Sequence, residues 1–465
     1  MRILPSGAPI LSAAAMRAAE QRCFDAGVAQ AELMERASLA VAREVARLGA
    51  GQPVLVLAGP GNNGGDAYGV ARILRGWGLD VCVAALGRST GGAAAENAAS
   101  WTGPVETLEE AAPRPVLVDG LFGTGMTRPL DAEVAAQLQR LVNDATVAVA
   151  IDLPSGLATD SGSDLGAPDG ITATVPLGAL KPAHLIGAGL PKCGHVLLAD
   201  IGVDAPTDWH SIARPILRVP GPDAHKYDRG LVVVVAGSMA GASRLAARAA
   251  LHGGAGYVIL AAPDAATGGP DAIVHRAVKD AVALAELLDD DRIGAVVIGP
   301  GLGRDTTATE LLEAAIASDR DLVIDGDALS LLADTAPERV CRRRAATLLT
   351  PHGGEFARMF ASSDNKIDAT LAAARAAGAI VIHKGADTVI AWENGKVVVA
   401  SSASSWLSTA GTGDVLAGLV AARHAAGGTP DEAAWLHSRA ARLAGPAFAA
   451  DDLIAQIPAA LGECL

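Results

Sequence analysis

Aromatic side chains are scarce, at 3% of 465 residues, although 50% of the chain is hydrophobic. The mean hydropathy of +0.32 is carried by Ala and Val rather than by Leu/Phe runs. No uninterrupted apolar stretch reaches the roughly 18 residues a spanning helix needs, so a soluble chain with no membrane partner is expected. Cations are short as well: 37 Lys and Arg face 51 Asp and Glu, for a formal charge of −14. Non-specific nucleic-acid affinity comes from cations that neutralise phosphates, so nucleic acid is not an expected partner. The five cysteines (Cys23, Cys82, Cys193, Cys341, Cys464) are odd in number, scattered and free of any Cys-x-x-Cys pair. That argues against a disulfide framework or a zinc site and for a reducing cytoplasm. The N-terminus has only Arg2 before an apolar stretch broken by Pro5, Ser6, Gly7 and Pro9, a weak export signal. Ser12 is expected instead to cap a helix running through Arg17, Glu20 and Arg36. A Gly-x-Gly-x-x-Gly with an acid about 20 positions on is also missing, which disfavours an ordinary dehydrogenase.

The length allows two or three domains at roughly 100–200 residues each. Two segments alternate short Val/Ile/Leu runs with Ala-rich helical stretches, the signature of strand–helix–strand units building a parallel sheet buried on both faces. Runs at Val54–Ala58, Val81–Leu86, Val116–Val118, Val147–Ile151, Ile171–Val175 and Val196–Leu198 mark the first segment. Runs at Leu231–Val235, Tyr257–Ala261, Ala295–Ile298, Leu322–Ile324, Thr347–Leu349 and Ile380–Ile382 mark the second. From about Asp204 to Arg229 the chain has five prolines or glycines and no clear period, as a linker would. The boundary is expected near 210–220, giving domains 1–215 and 216–465, with no short repeat or low-complexity tail.

In the first segment, Ala58-Gly-Pro-Gly-Asn-Asn-Gly-Gly-Asp66 follows a buried run and precedes a helix expected from Ala67 to about Arg75. A glycine-permitted turn there would aim N–H groups at an anion over a helix N-terminus, although a tight strand-to-helix turn uses the same residues. Asn62, Asn63 and Asp66 add oxygen and amide groups that a mere turn does not need. Val118-Asp-Gly-Leu-Phe-Gly-Thr-Gly-Met126 and Ala150-Ile-Asp-Leu-Pro-Ser-Gly156 also sit just after strands. Ligands of open parallel sheets bind beyond the strands' carboxyl ends, so three such loops converge on one crevice. Carboxylate, amide and hydroxyl oxygens without Cys or His suit a hard cation such as K⁺, Mg²⁺ or Ca²⁺.

The runs GPGNNGGD, DGLFGTG and IDLPSG, in that order, resemble the NAD(P)H-hydrate epimerase domain over roughly residues 10–205. The resemblance implies a Rossmann-like αβα sandwich and a K⁺ held by Asn63, Asp119 and Ser155. It further implies that the hydrated nucleotide lies against Asn62, Asn63, Gly64, Gly65 and Asp66, against Gly123, Thr124, Gly125, Met126, Thr127, Arg128 and Pro129, and against Asp152. Ala67 departs from the pattern, which commonly carries glycine after the Asp. Asp152 is taken as the acid/base of epimer exchange.

In the second segment, Ser408-Thr-Ala-Gly-Thr-Gly-Asp-Val-Leu-Ala-Gly418 is the sharpest motif. Gly411 and Gly413 permit an anion-cradling turn whose N–H groups face a migrating phosphate, and Asp414 can accept a hydroxyl proton. A carboxylate there is also an ordinary helix N-terminal charge. Upstream, Gly299-Pro-Gly-Leu-Gly303, Asp325-Gly-Asp-Ala-Leu329, Thr350-Pro-His-Gly-Gly-Glu355 and His383-Lys-Gly-Ala-Asp-Thr388 each follow a strand. His352 alone would be a satisfied loop histidine and Lys384 alone a surface lysine. His225 and His383 are read as structural.

HKYDRG (225–230), GPGLG, DGDAL, TPHGGEF, KGADT and GTGDVLAG together resemble the ribokinase-like superfamily, and within it the ADP-dependent NAD(P)H-hydrate dehydratases, over about residues 220–462. A ribokinase-like αβα sandwich is implied. So are nucleotide contacts at Lys384, Gly385, Ala386, Asp387, Thr388 and Gly413, and hydrate contacts at Ala242, Gly303, His352 and Asp414. Asp414 is implied as the catalytic base, with ADP as co-substrate and Mg²⁺ on its phosphates, near candidates Asp325 and Glu355. NADH hydrate, NADPH hydrate and ADP are thus the expected partners, and a homo-oligomer the expected state. Two alternatives stand beside this. One is a small-molecule kinase of the same superfamily, which would release a stable phosphate ester. The other is a nucleotide-sensing or oligomer-forming first domain, since glycine loops on doubly wound sheets host many tasks.

Overall fold

The computed structural model describes residues 3–87, 91–264, 269–401 and 404–465. The chain divides into two compact units after Ser211. Among the described residues no helix is long and apolar enough to cross a membrane.

The first unit holds strands β1 (Val54–Ala58), β2 (Val81–Ala85), β3 (Val105–Thr107), β4 (Val116–Gly120), β5 (Val147–Ile151), β6 (Ala173–Val175) and β7 (His195–Val196). They form one sheet in the order β3-β2-β1-β4-β5-β6-β7, every pairing parallel. Side chains alternate across a strand, and β1 shows what that does here. Val54, Val56 and Ala58 join Val41, Val45 and Val70 of helices Gln30–Gly49 and Asn62–Gly76, while Leu55 and Leu57 join Leu138 and Leu141 of helix Ala132–Asp144. Both faces are covered, which makes an αβα sandwich. A short strand, β8 (Trp209–Ser211), returns to the amino-terminal segment, where the Ile10 amide donates to the Trp209 carbonyl at 2.9 Å.

Two helices begin or end elsewhere than the sequence suggests. Ser12 does cap, its Oγ accepting from the Ala15 amide at 3.2 Å, but Gly27 at φ 94° ends that helix and a second starts at Gln30. The helix after β1 starts at Asn62, not Ala67, so the glycines lie within it rather than in a turn. Their work is close approach. A Cβ on Gly64 would stand 1.8 Å from the Gly59 carbonyl oxygen, on Gly65 2.6 Å from Ala94 Cα, and on Gly69 2.2 Å from Ser38 Oγ. Gly64→Ala meets backbone rather than a yielding side chain, and should cost about 3 kcal/mol, the upper end of the overpacking range. The denaturant midpoint of the full chain measures this; an unmoved midpoint would refute the contact.

The second unit holds β9 (Leu231–Val235), β10 (Tyr257–Ala262), β11 (Ile273–Ala277), β12 (Ile293–Ile298), β13 (Leu322–Ile324), β14 (Thr347–Leu349), β15 (Ile380–His383), β16 (Asp387–Ala391) and β17 (Val397–Ser401). Their order is β11-β10-β9-β12-β13-β14-β15-β16-β17, parallel as far as β15 and antiparallel beyond it. Helices Ala240–His252, Thr412–Ala425 and Ala450–Gly462 pack on the face of Val232, Val234 and Val297. Helix Thr306–Ala317 lies against β12 and against helix Ala281–Leu288, covering the sheet as the second layer of another αβα sandwich. Each sheet reverses its strand order once, between β1 and β4 and between β9 and β12, and the loops that part there open a crevice at the carboxyl ends.

Candidate functional sites

In the first unit the loops after β1, β4 and β5 border a cavity of about 390 Å³. Asn62, Asn63, Asp66, Gly123, Thr124, Gly125, Met126 and Asp152 line it, as the sequence suggests. Gly64 and Gly65 are packed behind it, and Thr127, Arg128 and Pro129 are exposed and outside its lining. The structure adds Arg17, Glu20 and Lys181, and an apolar wall of Phe24, Leu33, Met34 and Ile201.

Asp119 and Ser155 sit beneath this cavity, both wholly buried. The Ser155 hydroxyl donates to Asp119 Oδ1 at 2.6 Å, and the Ser155 and Leu121 amides donate to the same carboxylate. All these partners are neutral, so burial dominates and raises the Asp119 pKa. Asn63 Nδ2 is buried without a partner. That nitrogen needs an acceptor, whereas the side-chain oxygens of Asn63, Asp119 and Ser155 are the donor type that suits a hard cation.

Asp152 occupies the left-handed region at φ 61°, strain that a non-glycine residue tolerates only where its surroundings hold it. Lys181, 1% exposed, holds it through an ion pair to Oδ1, and the Leu177 amide donates to the same oxygen at 3.1 Å. His184 Nε2 donates to the Asp152 carbonyl at 2.6 Å while its Nδ1 accepts from the Lys181 amide, which fixes the imidazole tautomer. Burial and the nearby Asp152 and Glu20 charges push the Asp66 pKa well above the usual carboxyl range. Glu20 is raised too, first by burial, against the pull of Lys181.

In the second unit a cavity of about 660 Å³ is lined by His352, Lys384, Gly385, Ala386, Thr388 and Gly413. Ser405, Leu407, Ala434 and His437, which lie outside the motifs, also line it, as does Leu416 from within the GTGDVLAG run. Asp387 is turned away into an ion pair with Lys366 at 2.6 Å. His383 stacks on Phe356 at 4.0 Å and its pKa falls to about 3, chiefly by burial, as a structural histidine's would.

Gly411, at φ 87°, turns the chain into helix Thr412–Ala425, which puts Asp414 in the helix's first turn. Burial, then the Asp325 charge, raise the Asp414 pKa to about 6, while Lys384 pulls the other way. Lys384 Nζ donates to Asp325 Oδ1 at 2.6 Å, and the Thr350 hydroxyl donates to the same oxygen at 2.7 Å. His437 Nε2 donates to the Thr412 carbonyl at 2.9 Å and braces the same turn. The loops after β9 and β12 are stitched together, the Met239 amide donating to the Gly301 carbonyl at 2.9 Å. That brings Ala242 and Gly303 to the same end of the sheet, outside the lining of the large cavity. Glu355 is committed to capping its own helix, accepting from the His352 amide at 2.9 Å. With Asp325 already paired, neither candidate offers a free carboxylate for Mg²⁺, and among the described residues no group of three or more His, Cys, Asp or Glu could hold a metal.

The family model for NAD(P)H-hydrate dehydratase matches residues 232–465, and that for the YjeF-related protein N-terminus matches residues 30–192. The chain is 36% identical over 440 residues to a bifunctional NAD(P)H-hydrate repair enzyme of Mycobacterium tuberculosis, covering 90% of this chain and 89% of that one. A Gloeobacter violaceus enzyme of the same description is 37% identical over 477 residues, covering 93% and 92%. A solved ribokinase-like superfamily protein from Enterococcus faecalis superposes at a TM-score of 0.48 and 23% identity, covering 54% of this chain and 92% of that one.

Proposed function

We propose that this chain, which belongs to the bifunctional NAD(P)H-hydrate repair enzymes, exchanges the R and S epimers of hydrated nicotinamide nucleotides in its first cavity and dehydrates the S form at Asp414, beside its second cavity, spending ADP. A hydrate carries a hydroxyl on a ring carbon bonded to nitrogen, and hydroxide leaves poorly. Phosphoryl transfer to that oxygen, leaving AMP, creates a leaving group that the ring-nitrogen lone pair expels as phosphate, and loss of a proton from the neighbouring ring carbon then restores the double bond. Asp414 accepts the hydroxyl proton, while N–H groups of the Gly411–Gly413 turn face the migrating charge. The Lys384–Thr388 edge and the apolar Leu407 and Leu416 wall suit a nucleotide's phosphates and base. Mg²⁺ would come with those phosphates, as it keeps its waters and takes few protein ligands. In the first unit Asn63, Asp119 and Ser155 would hold K⁺, which supplies fixed positive charge under the nucleotide.

One observation carries the reading: a carboxyl with its pKa raised to about 6 at a helix N-terminus, beside the Lys384–Asp325 pair. Chromatographic separation of the two epimers, followed with ADP, with ATP and without nucleotide, tests it. Both epimers should vanish only with ADP, and a persistent phosphate ester would favour the kinase alternative. The base must be ionised to accept its proton, so dehydration should be flat above pH 7 and fall about tenfold per pH unit below 6. A rate that rises on acidification would remove Asp414 from that role.

A further inference from the structure

The first cavity gathers three carboxyl groups, Glu20, Asp66 and Asp152, around a single buried ammonium. That ammonium is committed. Lys181 bonds Asp152 Oδ1 and the Leu177 carbonyl, so Asp152 has a cation as its partner. Asp66 has the opposite surroundings. It is 7% exposed, and its carboxyl makes no hydrogen bond or ion pair with any described residue; only its backbone carbonyl is engaged, by Ser38 Oγ. The charged groups facing it are Glu20 and Arg17 from helix Ala13–Asp25, and the Asp152–Lys181 pair from the loops after β5 and β6. Helix Gln30–Gly49 contributes only neutral residues there: Gln30, Leu33, Met34 and Ala37. A carboxyl paired with a cation and a second one without a partner, in one cavity, can divide the work of fixed anion and acid between them.

We propose that Asp66 is the acid of the first site, giving its proton to the ring hydroxyl, while Asp152 is the fixed anion that faces the cation so formed. The step rests on the epimerase reading above and balances without a co-reactant. The Asp66 proton moves to the hydroxyl oxygen, the C–O bond breaks with its electron pair on oxygen, and water departs from a planar ring cation. Water adds to the other face, and one of its protons returns to the Asp66 carboxylate. Burial and the neighbouring Asp152 and Glu20 charges disfavour the Asp66 anion, and proton transfer by a positioned acid contributes about 10²–10⁴-fold.

The test is epimer exchange by the full chain without nucleotide, from pH 5 to 9, corrected for the spontaneous reaction. The wild type should slow as pH rises through the Asp66 titration. Asp66→Asn should lower kcat at least 100-fold with KM within threefold and lose that pH limb. Raised KM with kcat and pH profile unchanged would make Asp66 a binding contact and overturn the proposal, as would an unaffected variant. Should Asp66→Asn fail to fold, a carbon-13 titration of aspartate carboxyls in the wild type decides: one should titrate well above the rest at this site, shifting when hydrate is bound, and its absence overturns the proposal. A wild type that exchanges no epimers at any pH sinks the epimerase reading itself, and the proposal with it.

Discussion

Asp414→Asn is expected to lower nucleotide-dependent dehydration by about 10²–10⁴-fold, the usual worth of a positioned base. The amide keeps the shape of the carboxylate, so the helix Thr412–Ala425 and the nucleotide cavity should survive. What is lost is the capacity to take a proton. Asp414 is suited to that task because burial and the Asp325 charge raise its pKa to about 6, close to the operating pH, while Lys384 keeps it from rising further. Nucleotide affinity should stay within about threefold and epimer exchange should be untouched, because its groups line another cavity in the other unit. The measurement is loss of S hydrate with ADP. A variant retaining a tenth of the rate or more would show that some other group takes the proton.

Lys181→Met should be the most damaging single change to the first unit's stability. It leaves Asp152 buried and anionic without its cation, and breaking a buried pair from one side costs about 3–5 kcal/mol. The cost is compounded locally, since Lys181 Nζ also satisfies the Leu177 carbonyl at 2.9 Å. Adding Asp152→Asn removes the stranded charge, so the double variant should recover much of the loss, a coupling that a double-mutant cycle reads directly. Equal midpoints for wild type and Lys181→Met in denaturant would show the pair to be energetically idle. Dehydration of the S form by the second unit should persist under conditions where that unit stays folded.

The strands were legible because buried parallel strands read as unbroken Val/Ile/Leu runs, and β1, β5 and β9 coincide with theirs. Motif positions followed, since Gly, Asp and Asn crowd just beyond such runs. The start of helix Asn62–Gly76 was not legible, because two consecutive glycines oppose helix by propensity and only packing against Gly59 and Ala94 overrides it. The β16–β17 hairpin was missed although Asn394-Gly395 between apolar runs announces one. Lys181 lies 29 positions from Asp152, a pairing that no local pattern carries. Its one trace was a charged residue set among Leu180, Pro182 and Ala183, where lysine is costly unless paired. The apolar wall of the first cavity was invisible for a similar reason: Phe24, Leu33 and Met34 look like ordinary core-facing helix residues until the cavity is seen beside them.

The crowding around Gly64, Gly65 and Gly69 bears on how ancestry is weighed in proteins built this way. Neighbouring backbone and side chains forbid a methyl group at those positions whatever molecule occupies the cavity. A descendant that had lost the chemistry but kept the architecture would retain the same signature, and the Lys181–Asp152 pair with it for stability, so vestigial copies must be told apart by Asp66, whose carboxyl holds nothing in place.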